Sequence, residues 1–497
     1  MNARRHLPWL AGAAVGMAYL GTHSYFYNFD GVACAVAVEL SDLRHLTHGN
    51  HLGYGVAGLA FFKLWQAFGY DGPALLTLQA LDSLLGAASA GIFCALLLDL
   101  GIGPVAAALA TAGLAFSYAW WFWSLEAQVY MLGCLFTALA AREALSPEPR
   151  PVRTGAWQAL AILGHVGHLM LAPAAVYLLA TSPSAAEPGA RRRALVRYGL
   201  ALCLPVLTAY LLAALFCVRP GSWDEVRVWL LGSAALTLDK SFVWFGGYSW
   251  GNLADWLRMS LRIFADAAEV PDSSRAAGWV LAACPVAAAA VAARRCWSRP
   301  ARAALLWLAG YAALYTSWQP HTIVYRVSDL MPAWLLIALA ASGRYPSGKA
   351  GPRAPMGGAW KPSWKVCLLA AWVGGAGVFN WKLLVQPWTQ PSRNPAYQDA
   401  LWAPSVVPEN GWVAVLGLDQ IYVPYFGGRK PLNIRYYQAH RPALAARLRA
   451  LEAAGEPVFI ASKTLELDGW GPFFQAYGMS EVGRSPEGAA LYRVARR

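Results

Sequence analysis

The chain has few charged residues for its length. Only 13% of its 497 residues are Asp, Glu, Lys or Arg, whereas 57% are hydrophobic. Soluble proteins carry about 25% charged residues, so this shortage argues against an ordinary soluble domain. Several apolar runs are long enough to cross roughly 30 Å of hydrocarbon. The sequence therefore predicts an integral membrane protein with many spans.

Thiol chemistry is also poorly represented. The eight cysteines include no CxxC pair that would suggest a metal or redox site. Six lie in or beside predicted spans, where cysteine behaves as a small apolar residue: Cys94, Cys134, Cys203, Cys217, Cys284 and Cys367. The sequence also has no repeat of fixed period.

The net charge of +13 is concentrated in short segments between the apolar runs. These segments lie near residues 4–5, 142–153, 191–197, 294–302 and 344–365. Basic loops of this kind are typical of the cytoplasmic side of a membrane protein and need no nucleic-acid partner. We therefore expect a cytoplasmic N-terminus, an uncleaved first span, and membrane lipids rather than nucleic acid as surroundings.

The apolar runs predict an all-α membrane bundle of about eleven crossings. Spans fall near 7–25, 74–98, 103–121, 127–145, 196–217, 277–293, 302–318, 330–343 and 364–385. The segment 155–180 has basic flanks on both sides and contains Gly164, Gly167 and Pro173. It predicts two short helices that meet near residues 164–168, because irregular backbone at depth is tolerated when protein buries it.

Three regions are predicted to face outward. The loops 26–73 and 218–276 belong to a transmembrane domain over 1–385, and the second is rich in tryptophan (Trp223, Trp229, Trp244, Trp250 and Trp256). Segment 386–497 alternates short β-rich runs (412–416, 457–461 and 490–494) with a helix at 442–454, which predicts a small extracytoplasmic α/β domain. The Gly- and Pro-rich stretch 345–363 is interpreted as a cytoplasmic linker.

Two carboxylates are expected at the outer membrane boundary. Asp30 follows the first span among aromatic residues, and Glu126 follows the tryptophans of a later one. Acids at such positions are energetically costly, so a functional role is the first hypothesis to test. Either could be a base or positioning group for an acceptor hydroxyl, although an interface residue at a helix end is the simple alternative for Asp30. Asp82, inside the second span, is interpreted as a packing residue.

The first outer loop offers a candidate metal site. Glu39, His48 and His51 could bind a divalent cation, although their spacing lacks a zinc motif. Interface hydrogen bonding or contact with a sugar is the alternative. In the broken segment, His165 and His168 could serve catalysis or bond to freed backbone carbonyls.

A short outer loop, WQPHTIVYR (318–326), contains His321, Tyr325 and Arg326. A guanidinium group fits a phosphate bidentately, so Arg326 is a candidate phosphate ligand. A salt bridge to Asp329 is the alternative.

Several of these runs resemble a bacterial membrane family related to protein O-mannosyltransferases, which has the GT-C glycosyltransferase fold. FSYAWWFWSLEAQVYML (116–132) resembles its "FWSQA…EVYxLN" stretch, and GHLMLAP (167–173) is similar to "GNHLTxLLLxP". Asp30-Gly31 followed by NHLGY (50–54) resembles an acid followed by "HPPGYPLY". The first-loop prolines are absent here, and the second acid stands two residues earlier, which leaves Gln128 in its place.

The resemblance implies transfer of a sugar from a polyprenyl-phosphate carrier to an extracytoplasmic acceptor, with inversion. It implies that Asp30 is the base, that Glu126 assists it and that Arg326 holds the lipid phosphate. Further candidates for substrate contact are Glu39, His48, His51, Tyr54, Gln128, Tyr130, His168, His321 and Tyr325. The location implied is the bacterial inner membrane.

Two other classes stay open from the sequence. If the protein were a transporter or flippase, its sequence should contain internal repeats and acids near the bilayer midplane. A catalytically silent scaffold would tolerate replacement of both Asp30 and Glu126.

Overall fold

A computed structural model describes residues 3–185, 187–231, 249–295, 298–342, 363–467 and 469–496. The chain forms two compact units. The membrane unit comprises Met1–His23 and Ala37–Pro387, and the C-terminal unit comprises Ser24–Val36 and Trp388–Arg497. Trp244 and the predicted linker, apart from its last residue, lie outside the described residues. A segment of the first outer loop therefore belongs to the same unit as the C-terminal residues.

The described residues up to Pro387 form helices and the connections between them. Its α-helices are α1 (Ala3–Leu20), α2 (Phe29–Glu39), α3 (Leu43–Leu46), α4 (Tyr54–Ala67), α5 (Ala74–Asp99), α6 (Pro104–Phe116), α7 (Tyr118–Ser124), α8 (Tyr130–Leu145), α9 (Pro151–Gly164), α10 (Ala172–Ala180), α11 (Pro188–Leu212), α12 (Trp223–Leu231), α13 (Trp250–Arg262), α14 (Asp272–Arg295), α15 (Arg299–Ser317), α16 (Leu330–Ser342) and α17 (Trp364–Asn380). Short 3₁₀ segments occupy Val166–Leu171 and Ile323–Asp329, and π-helical turns extend α11 and α17 over Ala213–Val218 and Trp381–Val385.

Each predicted crossing coincides with one of these helices. Five of the described helical segments are long and apolar enough to span a membrane by length and composition, or six if the bent pair α6 and α7 is one span. The five are Ala74–Asp99, Pro188–Val218, Asp272–Arg294, Ile323–Ser342 and Trp364–Thr389. The protein is thus a multi-pass membrane protein, as predicted, and its helix count is roughly consistent with the prediction.

The predicted break in the segment 155–180 is present. Helix α9 ends at Gly164, and a 3₁₀ segment leads into α10. A side chain at Gly164 would lie 2.7 Å from the Gly133 nitrogen, and one at Gly133 would lie 2.3 Å from the His168 ring. The two glycines therefore allow α8 and α9 to approach closely and leave room for the His168 imidazole between them.

The C-terminal unit contains a five-stranded sheet. Its strands are β1 (Trp412–Val415), β2 (Lys430–Asn433), β3 (Val458–Ala461), β4 (Gly478–Arg484) and β5 (Ala490–Ala495), in the order β2-β1-β3-β5-β4. Strand β1 pairs in parallel with β2 and β3, and β5 pairs antiparallel with β3 and β4. The accompanying helices are α18 (Pro395–Trp402), α19 (Asp419–Gly427), α20 (Arg441–Ala453), α21 (Ser462–Leu465) and α22 (Trp470–Gln475).

Alternate residues of the central strands point to opposite faces of this sheet. Ala414 and Ile460 pack with Leu444 and Leu448 of α20 in one buried cluster. Val413 and Val415 pack in a second cluster, which includes Val423 of α19. The sheet is thus covered on both faces, and α19 is fixed on one of them.

Candidate active site

Asp30 lies in the first turn of α2, within the C-terminal unit. The Asn28 side chain accepts a hydrogen bond from the Gly31 N–H at 2.8 Å, as a helix-capping residue does. The Asp30 side chain is exposed, although surrounding protein displaces enough water to raise the pKa of its carboxyl above the ordinary value. An accessible carboxylate with a raised pKa is well suited to accept a proton.

Glu126 lies in the membrane unit, in the connection between α7 and α8, and is only 1% exposed. It is within electrostatic reach of Asp82, a fully buried residue of α5. The segments that carry this pair approach closely: the hydroxyl of Ser83, next to Asp82 on α5, donates at 3.0 Å to the carbonyl of Ser124, the last residue of α7. The membrane unit therefore holds two acidic side chains together in its interior.

Two residues predicted to contact substrate also contact Asp82. The Tyr54 hydroxyl and the Gln128 backbone N–H each donate to Asp82 Oδ2 at 2.7 Å. The Asp82 carboxyl thus joins the start of α4 to the loop before α8. The position of Asp82 inside the second span indicates a packing residue, and these contacts agree with that interpretation. Nothing local in the sequence identifies its partners.

The histidines of the first outer loop lie side by side. The rings of His48 and His51 are stacked with their centroids 4.4 Å apart. Burial lowers the pKa of both imidazoles, and for His51 the neighbouring His48 and His165 lower it further. Two neutral imidazoles are suited to hydrogen bonding with hydroxyl groups rather than to holding an anion.

These loop residues pack against the broken helix. The Val166 N–H donates to the Asn50 carbonyl at 2.8 Å, and the Gly53 N–H donates to the Leu163 carbonyl at 2.6 Å. This contact places His51 close enough to His165 for their electrostatic interaction. Backbone pairing thus joins two segments that are more than a hundred residues apart in the sequence.

A row of aromatic rings beside His165, called the aromatic wall below, comprises Tyr130, Tyr325, Trp318 and Tyr315. Tyr130 lies 4.7 Å from the His165 ring and 5.8 Å from the Tyr325 ring, measured between centroids. Tyr325 is stacked on Trp318 at 4.8 Å and on Tyr315 at 6.1 Å. Such a wall of rings and imidazoles could contact the faces of a sugar and its hydroxyls.

His168 is buried deeper in the bundle. Its Nδ1 is 2.9 Å from the Thr137 hydroxyl and 3.0 Å from the Tyr311 hydroxyl. The residue is fully buried. These contacts join the broken helix to α8 and α15, and they are made with side-chain hydroxyls rather than with freed backbone carbonyls. Contact of His168 with substrate stays a prediction.

Arg326 makes internal contacts with each of its guanidinium nitrogens. Its Nε lies 2.5 Å from Asp329 Oδ2, its Nη1 donates to the Trp256 carbonyl at 2.9 Å and its Nη2 donates to Ser260 at 2.9 Å. The residue is 1% exposed, and its guanidinium also stacks on the Trp256 ring. The structure therefore favours the salt-bridge alternative, because a phosphate would have to displace these partners.

The three metal candidates do not form a common site. Within the ranges that the structure describes, no group of three or more His, Cys, Asp or Glu side chains could hold a metal ion. Glu39 instead accepts from the Ala74 N–H at 2.8 Å, at the start of α5. These residues therefore do not fit a metal centre.

His321, another residue predicted to contact substrate, is exposed in the outer loop after α15.

The structure thus brings together seven of the predicted residues in the membrane unit: His48, His51, Tyr54, Glu126, Gln128, Tyr130 and Tyr325. Asp30 belongs to the other unit. That Glu126 assists Asp30, as the resemblance implies, stays a prediction.

The fold is GT-C-like. Two structures of ArnT from Cupriavidus metallidurans are similar to this chain over almost its full length. The one bound to undecaprenyl phosphate is 13% identical, with a TM-score of 0.62, over 98% of this chain and 97% of that one. The apo form is 14% identical, with a TM-score of 0.60, over the same shares.

An oligosaccharyltransferase from Archaeoglobus fulgidus, in complex with Zn and sulfate, is similar in fold as well. It is 13% identical, with a TM-score of 0.56, over 98% of this chain and 72% of that one. No protein-family model matches the sequence, and no curated protein matches it. The likeness therefore lies in the fold, at a level of identity too low to assign an activity.

Proposed function

We propose that this protein is a membrane glycosyltransferase that moves a sugar from a polyprenyl-phosphate carrier to an extracytoplasmic acceptor, with inversion at the anomeric carbon. The observation that carries the proposal is the similarity of fold, over 98% of the chain, to ArnT bound to undecaprenyl phosphate. The paired acids and aromatic wall of the membrane unit, together with the accessible Asp30, support it.

In the proposed reaction Asp30 is the base. Its carboxylate removes the proton of the acceptor hydroxyl, whose oxygen attacks the anomeric carbon of the sugar. The bond between that carbon and the lipid phosphate breaks, and the polyprenyl phosphate leaves with the bonding electrons. The raised pKa of Asp30 suits this role, because a more basic carboxylate accepts a proton more readily.

The membrane unit would bind the sugar. We propose that Glu126 contacts the acceptor or the sugar with the support of Asp82, and that Tyr130, Tyr325, His48 and His51 contact the sugar itself. Arg326 has a supporting role here, since its partners are internal. No step runs through a metal, because the candidate ligands do not form a common site.

We further propose that the protein lies in the bacterial inner membrane with a cytoplasmic N-terminus and an extracytoplasmic C-terminal unit. The basic loops of the sequence support this orientation. A topology reporter fused after Gly358 should be active in the cytoplasm, and one fused after Gly411 outside it. Reversal of either result would contradict the orientation and the outer site with it.

Binding of the carrier lipid to the purified protein tests whether the sugar donor is a polyprenyl phosphate. Protein purified in nanodiscs should be stabilised against heat by undecaprenyl phosphate, because a ligand that binds only the folded state raises its stability. Undecaprenol, which has the same chain without the phosphate, is the matched control, and phosphatidylglycerol controls for any anionic lipid. Equal shifts with all three lipids would contradict a polyprenyl-phosphate donor.

A further inference from the structure

We infer that the C-terminal unit positions the base: Asn394 and Tyr422 hold the backbone of residues 25–27 and so fix the start of the helix that carries Asp30. The inference depends on the proposed function, in which Asp30 is the base. All of the contacts lie within the C-terminal unit.

The Asn394 side chain uses both ends of its amide. Its Nδ2 donates to the Tyr25 carbonyl at 2.8 Å and to the Phe26 carbonyl at 2.9 Å. Its Oδ1 accepts from the Tyr397 N–H at 3.1 Å and caps α18. Asn394 is 5% exposed. This buried amide therefore connects α18 to the segment before Asp30, and the cap fixes which end of the amide faces that segment.

Tyr422, on α19, makes a second connection. Its hydroxyl contacts the Phe26 carbonyl at 3.0 Å and the Tyr27 carbonyl, and it lies 3.2 Å from Asn394 Nδ2. The residue is fully buried. A hydroxyl has a single proton to donate, so the amide of Asn394 and the hydroxyl of Tyr422 share the carbonyls of three successive residues between them.

The held segment has an unusual backbone. Tyr27 has a φ of +49°, a left-handed conformation that residues with a side chain rarely adopt. Its ring packs between Tyr397 at 5.1 Å and Phe426 at 5.2 Å. Asn28 then caps α2 and Asp30 follows in the first turn. The left-handed turn therefore sets the direction in which α2 begins.

The two helices that supply these groups are themselves tied together. Lys463 lies 2.8 Å from Asp399 of α18 and 3.1 Å from Asp419 of α19. Asn394 and Tyr422 are thus fixed relative to each other by an ion-pair network. A rigid support of this kind is what a positioning residue needs, since small misplacements of a reacting group lower rates strongly.

The variant that best tests the hydrogen-bond donor group of Asn394 is Asn394→Asp. A carboxylate keeps the oxygen that caps α18 and the shape of the side chain, but it cannot donate to the two carbonyls. We expect its kcat to fall by roughly tenfold or more, with undecaprenyl phosphate binding retained and thermal stability lowered, because the buried carboxylate faces two carbonyl oxygens. Tyr422→Phe, which keeps the ring, should lower kcat in the same direction. Asn394→Gln, which keeps a donating amide, should restore part of the rate.

The matched controls lie in the same unit. Asn410 donates from its amide to the Gly455 carbonyl at 3.1 Å, so Asn410→Asp removes a contact of the same kind. Tyr436 is 64% exposed, so Tyr436→Phe controls for loss of a hydroxyl. Both variants should retain wild-type turnover.

A double variant separates positioning from general damage. If Asn394 acts through Asp30, Asn394→Asp added to Asp30→Asn should cause no further loss of turnover. Hydrogen exchange gives a readout without activity: the amides of residues 25–32 should exchange faster in Asn394→Asp than in wild type. Losses that multiply in the double variant, or unchanged exchange together with unchanged kcat, would overturn the inference. Retained turnover in Asp30→Asn alone would instead contradict the proposed base.

Discussion

Asp30 and Asp82 are both helical aspartates, but their surroundings are opposite. Asp82 is fully buried, and one of its oxygens accepts two hydrogen bonds at 2.7 Å. Asp30 is exposed, and the polar contacts near it hold the backbone of Tyr25 and Gly31 on either side of it. A buried carboxylate that accepts hydrogen bonds from two segments stabilises the fold, whereas an accessible one on a supported backbone is available for chemistry. The residue type does not distinguish the two roles.

The largest expected effect is on activity. Asp30→Asn should lower kcat by about 10²–10⁴-fold, because the amide cannot accept the proton, while thermal stability stays unchanged. The check is turnover of a polyprenyl-phosphate sugar together with a melting curve. Asp272→Asn is the matched control, since Asp272 is another exposed aspartate in the first turn of a helix. A fully active Asp30→Asn protein would remove Asp30 from the mechanism.

The second largest effect is expected on stability, at the buried ion pair between Arg326 and Asp329. Arg326→Ala should lower the free energy of unfolding by about 3–5 kcal/mol, because it leaves the buried Asp329 carboxylate without its charge partner. The double variant Arg326→Met with Asp329→Leu should recover much of that loss. Denaturation followed by tryptophan fluorescence would measure both. A stable Arg326→Ala protein that has lost only lipid binding would favour a direct phosphate contact instead.

A smaller loss is expected at the Asp82 centre. Tyr54→Phe should cost about 1.5–3 kcal/mol of stability, the usual range for a hydrogen bond to a charged group, because the Gln128 N–H contact remains. Its effect on kcat should be slight compared with that of Asp30→Asn. Tyr70→Phe is the comparison, since that hydroxyl donates to a carbonyl in an exposed turn. A large fall in kcat at unchanged stability would move Asp82 into the catalytic group.

The smallest effect is a dependence of stability on pH. Burial lowers the pKa of His48 and His51 in the fold, so above their unfolded pKa of about 6.5 neither state binds a proton. As the pH falls below that value, the unfolded chain binds protons that the folded one does not, and stability declines by up to about 1.4 kcal/mol per pH unit for each histidine. His51→Gln should reduce this slope between pH 7.5 and 5.5.

The control for that slope is His45→Gln, because the His45 side chain is 73% exposed. Melting curves at the two pH values compare the variants directly. An equal slope in wild type and in His51→Gln would contradict a neutral, buried His51.

Much of the fold follows from local sequence. The apolar runs predicted the positions of the crossings, and Gly164 with Pro173 predicted the broken segment between α9 and α10. Strands β1, β3 and β5 and helix α20 lie where the apolar alternation predicted them. Strands β2 and β4 were not predicted, because Lys430–Asn433 and Gly478–Arg484 lack a sustained apolar alternation and depend on pairing with their neighbours.

The candidate site was only partly predictable. Residue type, together with a position beside a predicted span, indicated Glu126, Tyr130 and Tyr325 as candidates for the site. Asn394 was missed, although its place before Pro395 is a recognisable helix start. Nothing local indicates that its amide reaches residues 25 and 26, since that contact spans more than three hundred positions.

The sequence by itself determined that the chain crosses the membrane many times and ends in a small α/β unit, because hydrophobicity and its period act over short stretches of chain. Only the tertiary structure decided that Arg326 bonds to Asp329, that Tyr54 and Gln128 meet at Asp82, and that Asn394 holds the segment before Asp30. Those outcomes depend on which distant groups satisfy one another's hydrogen bonds and charges once both are buried, and that depends on where folding places them.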